Sequence, residues 1–166
     1  MDESKTEVDK KGQMQNMVLR FIAALGAAQT LPESCETADF YSELIRGLLK
    51  VRSISPGRVS CSFRVKRRIA NAYNGLHGGA VAAIAERVAT ACARTLLSEE
   101  KPLFLGELST SYLSSAPINA EVVADGSVVR SGRNLTVVSV EFRLKDYGKL
   151  AYTAHATFFN AVPSKL

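Results

Sequence analysis

An α+β domain, an antiparallel sheet curled around one long helix, is the fold class this sequence predicts, and three observations predict it. Val59, Cys61, Phe63 and Val65 alternate with Ser60, Ser62, Arg64 and Lys66, and Val138, Val140, Phe142 and Leu144 alternate with Ser139, Glu141 and Arg143, the period-2 pattern of half-buried strands. Between them Ala80 to Leu97 reads AVAAIAERVATACARTLL, a long Ala- and Leu-rich run of helix formers. Further strand-like runs lie near 47–55, 104–115, 120–130 and 149–160, with turn signals at Pro56-Gly57, Ala116-Pro117, Ser131-Gly132 and Tyr147-Gly148. Two strands, one helix, then four strands is an α+β order.

The 166 residues are one domain's worth, and no internal repeat or low-complexity segment divides them. Met1 to Gly12 is charged and expected to be disordered. Met14, Met17, Val18, Phe21, Ile22 and Leu25 then fall at helical spacing, which predicts an amphipathic helix packing on the domain or a neighbouring subunit. Its polar residues are too few and too weakly basic to favour a membrane-surface or targeting helix. Thr30 to Ser34, with Pro32, reads as a linker. The expected organisation is an extension over 1–34, a domain over 35–162 and a tail over 163–166.

The chemistry concentrates in Asn71-Ala-Tyr-Asn-Gly-Leu-His77-Gly78-Gly79, which opens the apolar helix carrying Glu86. The apolar residues of that helix lie on every side, so it is expected to be buried nearly all round, and Glu86, Arg87 and Arg94 argue against a membrane span. Glu86 faces Ala89 and Thr90 at the three- and four-residue spacings and so has no basic neighbour on its own face. Either it finds a partner elsewhere or its pKa rises, as at functional sites, or it simply points outward at a helix edge. Gly78 and Gly79 present free N–H groups at a helix N-terminus, the chemistry of an oxyanion hole, although a tight turn into the helix accounts for them equally. His77 alone reads as a satisfied loop histidine. Gly78 and Glu86 are eight residues apart, about 12 Å along a helix axis, too far to act on one atom. If both act, two chains must build the site.

These residues resemble the hotdog-fold acyl-CoA thioesterases, the small thioesterase superfamily members and the phenylacetate-pathway and 4-hydroxybenzoyl-CoA enzymes among them. The resemblance rests on Asn71 six residues before His77, the His77-Gly78-Gly79 triplet, an acid nine residues after the histidine, and Ser111-Tyr112-Leu113-Ser114-Ser115-Ala116-Pro117. It covers roughly residues 36 to 160. It implies a single hotdog domain in which the sheet wraps the central helix, with Glu86 as general base or nucleophile and the Gly78 N–H polarising the thioester carbonyl. It further implies that Asn71 orients the water or the carbonyl and that His77 orders the loop. Coenzyme A, part of the substrate rather than a cofactor, is expected along Tyr112 to Pro117, including Ser114, and at the turn Arg130-Ser131-Gly132-Arg133-Asn134. The same resemblance implies a homotetramer. Many relatives carry Asp where this chain has Glu86, and some place a serine at the position registered here as Leu105, with Ser109 and Ser111 the nearest hydroxyls.

The net charge of +5 is spread out, and no basic stripe with interleaved aromatics points to nucleic acid. Lys66-Arg67-Arg68 reads as a solvated strand end. Cys35, Cys61 and Cys92 show no CxxC spacing, which argues for a reducing compartment and against disulfides or structural zinc. With His77 and His155 the only histidines, no metal is expected. Ser164-Lys165-Leu166 matches the peroxisomal address, whose reader is an import receptor, and the first residues, without an apolar run or an Arg/Ser-rich, acid-poor character, are not expected to be a secretory or transit signal. The expected function is a peroxisomal acyl-CoA thioesterase that yields free fatty acid and coenzyme A. The alternatives are an aromatic-CoA thioesterase of naphthoyl or benzoyl type and a non-catalytic acyl-CoA-binding protein. A hotdog dehydratase is disfavoured because no His-Phe-Pro-Gly signature is present.

Overall fold

The structure, a computed structural model, describes residues 12–21 and 39–160. The chain divides between Phe40 and Tyr41 into two units. In the first, residues 12–21 form helix α1, which carries Met14, Met17, Val18 and Phe21 of the expected amphipathic helix. Ile22, Leu25, the linker at 30–34, Cys35 and the tail at 163–166 lie outside the described residues.

The second unit holds α2 (Phe40–Leu48) from its second residue on, then β1 (Lys50–Ser55), β2 (Arg58–Arg64), α3 (Gly78–Arg94), β3 (Phe104–Tyr112), β4 (Glu121–Ser131), β5 (Leu135–Leu144) and β6 (Leu150–Phe159), with a 3-10 turn at Arg67–Ile69. All strand pairs are antiparallel, and the six form one sheet in the order β1-β2-β4-β5-β6-β3. This is the predicted order of two strands, one long helix and four strands, and α3 packs across the sheet as a hotdog domain requires.

The sheet buries alternate residues. Val138, Val140 and Phe142 on β5, and Ala154, Ala156 and Phe158 on β6, are nearly inaccessible and form the wall that α3 covers with Val81, Ile84, Ala85, Val88, Ala89 and Cys92. Small residues let the layers approach closely. A Cβ on Gly126 would collide with Cys92 Sγ and Val88 Cγ1, at 2.5 and 2.8 Å. Phe142 is fully buried with its ring edge-on to Tyr152, centroids 6.0 Å apart. Phe142→Ala is therefore expected to cost about 3–5 kcal/mol in a denaturant melt, and a loss below about 1 kcal/mol would show that this core collapses around the vacancy.

Three expectations need correction. The strand-like run expected near 47–55 is a strand only from Lys50 to Ser55, and its first residues end helix α2, whose Ile45 and Leu48 are buried. Helix α3 begins at Gly78 rather than Ala80 and ends at Arg94 rather than Leu97. It is also not buried on all sides. Glu86, Arg87 and Ala91 are exposed and Ala82, Ala83 and Thr90 half-buried, so the sheet of one chain covers only part of the helix and leaves a strip of small side chains around Glu86. Among the described residues no helix is long and apolar enough to cross a membrane.

Candidate active site

The loop that enters α3 is organised by its own polar side chains. Asn71 Oδ1 accepts from the Tyr73 and Gly75 N–H groups, both at 3.0 Å, and thereby folds the chain back on itself. Asn74 takes a left-handed conformation at φ 60°, which asparagine tolerates. The loop is then stitched to its neighbours. His77 N–H donates to Ile69 O and Leu76 N–H to Ala116 O, both at 2.8 Å, and Ile118 N–H donates to Asn74 O at 2.9 Å. A Cβ on Gly75 would strike Ser115 Oγ, so glycine there lets the two segments close on each other. The Ser114 to Pro117 motif thus latches the loop, with Ser114 itself held by its N–H to Ala151 O at 3.0 Å.

His77 caps α3. It holds extended dihedrals (φ −68°, ψ 134°), and its Nδ1 accepts from the Gly79 N–H at 3.0 Å. The neutral ring therefore carries its proton on Nε2, and the ring lines a cavity of about 230 Å³ with Tyr41, Arg68 and Ala80. The cap consumes Gly79 N–H. The His77 carbonyl accepts from Ala80 and Val81, at 2.9 and 3.1 Å. Among the described residues Gly78 N–H then donates to nothing, and it stands at the positive end of a 17-residue helix. Asn71 retains its Nδ2 donor, which bonds to no described group. Tyr112 lies over Gly78, its hydroxyl donating to Gly78 O at 3.2 Å and accepting from Thr110 Oγ1 at 3.0 Å.

Asn71, His77, Gly78 and Tyr112 thus converge at one end of the sheet, while the other predicted residues do not join them. Glu86 is two turns along α3, exposed, and without a hydrogen bond or ion pair to any described residue. Arg130 and Ser131 end β4 and Gly132, Arg133 and Asn134 turn the chain into β5, and Arg130, Gly132, Arg133 and Asn134 line a shallow cavity of about 380 Å³ there with Leu135. Pairing places that turn beside Phe159 and Phe104, at the start of β3, whereas Tyr112 ends the same strand opposite Tyr152. Eight strand steps separate the two, roughly 26 Å. One chain therefore carries the turn and the loop at opposite ends.

The strand register also corrects the hydroxyl expectation. A bulge between Leu105 and Glu107 resets the parity of β3, so Leu108, Thr110 and Tyr112 pair with Ala156, Ala154 and Tyr152, while Ser109 and Ser111 pair with His155 and Thr153 on the other face. The hydroxyls facing α3 are those of Thr110, which the sequence reading did not single out, and Tyr112, which it placed along the coenzyme A path, rather than those of Ser109 and Ser111, which it gave as the nearest to Leu105. The described cysteines offer no nucleophile here. Cys61 and Cys92 are buried free thiols, and burial pushes Cys92 up to about 11, disfavouring the thiolate that would be needed as a nucleophile. Among the described residues no group of three or more His, Cys, Asp or Glu could hold a metal ion.

Residues 73–151 match the family model of the thioesterase superfamily, from the loop through α3 to the first residues of β6. The human acyl-coenzyme A thioesterase 13 is 30% identical over 110 residues, covering 65% of this chain and 76% of that relative. The chain belongs to the acyl-CoA thioesterase family. Solved structures share the fold of this thioesterase: zebra fish thioesterase superfamily member 2 superposes with a TM-score of 0.68 at 22% identity, over 88% of this chain and 97% of that one. A Streptococcus mutans protein solved bound to acetyl CoA superposes at 0.63 and 21% identity, over 70% and 91% of the two chains. As a member of this family the thioesterase is a thioester hydrolase, and the loop from Tyr73 on, the His77 cap and the Gly78 N–H lie within the stretch that the family model spans, with Asn71 two residues before it.

Proposed function

We propose that this thioesterase hydrolyses acyl-CoA to a carboxylic acid and coenzyme A at sites each built by two copies of the chain, Glu86 from one and the Asn71–Gly78 loop from the other. The observation that carries this reading is that Glu86, the acid of the family pattern, is exposed on an uncovered strip of α3 and has no partner among the described residues, about 12 Å along the axis from Gly78. The sheet has the means to bring a second copy. Strand β3 is largely exposed, and its edge away from β6 pairs with no strand among the described residues, an invitation to antiparallel pairing across a two-fold axis. Such pairing carries the Phe104 end of one strand to the Tyr112 end of the other. It thereby brings the Arg130–Asn134 turn of one copy towards the loop of its partner.

In the reaction water adds to the thioester carbonyl while Glu86 takes its proton, or the carboxylate adds directly and water releases the acyl group. The Gly78 N–H, assisted by the Asn71 Nδ2 donor, stabilises the negative oxygen that develops. Collapse expels the coenzyme A sulfur, which takes up a proton, so one thioester and one water become one acid and one thiol. Arg130 and Arg133 supply positive charge for the phosphates, and Tyr112 and Ser114 flank the approach. Two such dimers would make the tetramer, read by light scattering. Ser164-Lys165-Leu166 serves as a peroxisomal address, read by the location of the chain with and without it.

The experiment is release of free coenzyme A from a panel of aliphatic and aromatic acyl-CoA thioesters. Turnover of aliphatic substrates supports the fatty acyl reading, and turnover of aromatic ones alone replaces it with the aromatic-CoA reading. Binding without release would leave an acyl-CoA-binding protein in its place.

A further inference from the structure

We infer that the Tyr112 hydroxyl is a positioning group for the Gly78 N–H, acting as the middle of a relay from Thr110 through Tyr112 to the Gly78 carbonyl. The inference rests on the thioesterase reading above and adds to it a device that holds the carbonyl-polarising donor in place. The first turn of a helix is its loosest part, because its N–H groups lack intrahelical acceptors. Gly78 compounds this, since a glycine backbone has the widest conformational freedom. Yet the donor must meet the developing oxygen to within a fraction of an ångström.

The structure supplies tethers on both sides of the His77–Gly78 peptide, and both lead to the same pair of tyrosines. On the Gly78 side, Tyr112 Oη donates to Gly78 O at 3.2 Å and is oriented by Thr110 Oγ1 at 3.0 Å, which occupies its acceptor side and directs its proton to the carbonyl. The Tyr112 ring rests edge-on against Tyr152, centroids 6.0 Å apart. On the His77 side, Tyr152 Oη accepts from Ala116 N–H at 2.8 Å, and Ala116 O accepts from Leu76 N–H at 2.8 Å. Tyr152 is itself buried in β6, so the peptide is referred to the rigid sheet rather than to the loop. The same contact shows how closely the two pack. A Cβ at position 78 would lie 3.3 Å from the Tyr112 ring and hydroxyl, so any side chain there would push the tyrosine back by a few tenths of an ångström.

Tyr112→Phe keeps the ring and removes only the tether. On the best thioester of the panel kcat is expected to fall on the order of tenfold with KM within twofold of wild type, because the donor acts in the transition state and the ground state barely feels it. Thr110→Val should fall less and in the same direction, and adding it to Tyr112→Phe should cost nothing more, since it acts through the hydroxyl. In parallel the NMR order parameter of the Gly78 amide is expected to drop in Tyr112→Phe, whether or not any thioester is hydrolysed. An unchanged order parameter overturns the inference, as does a rise in KM at constant kcat, which would make the hydroxyl a substrate contact. A dropped order parameter in a protein that hydrolyses no thioester upholds the tether and removes the catalytic reading instead.

Discussion

Glu86→Gln is expected to lower turnover of the best acyl-CoA substrate by about two to four decades while leaving the melting temperature almost unchanged. The two halves of that expectation come from one observation. The carboxylate is exposed on the chain and makes no hydrogen bond or ion pair with any described residue, so its replacement by an isosteric amide breaks no contact that holds the fold. What the amide cannot do is accept a proton from water or attack a carbonyl. Glu86→Asp is the informative companion, because it keeps the charge and shortens the reach by one methylene, and it should retain more activity than the glutamine variant. Near wild-type release of coenzyme A by Glu86→Gln would remove Glu86 from the chemistry.

The sheet was legible in the sequence because period-2 alternation survives along β2 and β5, where one face meets α3 and the other does not. Helix α2 was not, because Leu48, Leu49, Val51 and Ile54 follow one another closely enough to pass for a single strand-like run, whereas Ile45 and Leu48 in fact face the core at helical spacing. The burial of α3 misled for another reason. Alanine is compatible with a core and with a surface awaiting a partner, so the uncovered strip of Ala82, Ala83 and Ala91 looked like interior. Of the candidate site, the grouping of Asn71, His77 and Gly78 was legible because loop, cap and helix start are local in sequence. The face of β3 was not. Leu105, Glu107, Ser109 and Ser111 share a face in a regular strand, and the bulge at Leu105/Glu107 moves Thr110 and Tyr112 to the α3 side instead.

A site divided between two chains makes a prediction that a site within one chain cannot. Gly78→Pro is a suitable lesion for the loop half, since proline removes the N–H, is tolerated at the first position of a helix, and requires the extended conformation that His77 already has, while its Cβ asks the exposed Tyr112 ring to give by only a few tenths of an ångström. Alone it is expected to cost about two to three decades in kcat, the loss of an oxyanion donor, and circular dichroism should show the helix retained. Now let Glu86→Gln and Gly78→Pro be co-expressed. In a mixed dimer one site receives both lesions, while the other receives Glu86 from the proline chain and Gly78 from the glutamine chain and is intact. Random pairing makes about half the dimers mixed, each with one working site of two, so activity should return to roughly a quarter of wild type. Each variant alone stays near its own floor. Glu86 and Gly78 acting within the same chain would leave every site with one lesion, and co-expression would then restore nothing. The recovery therefore measures the geometry itself: whether the exposed carboxylate on α3 serves its own loop or the loop of its neighbour.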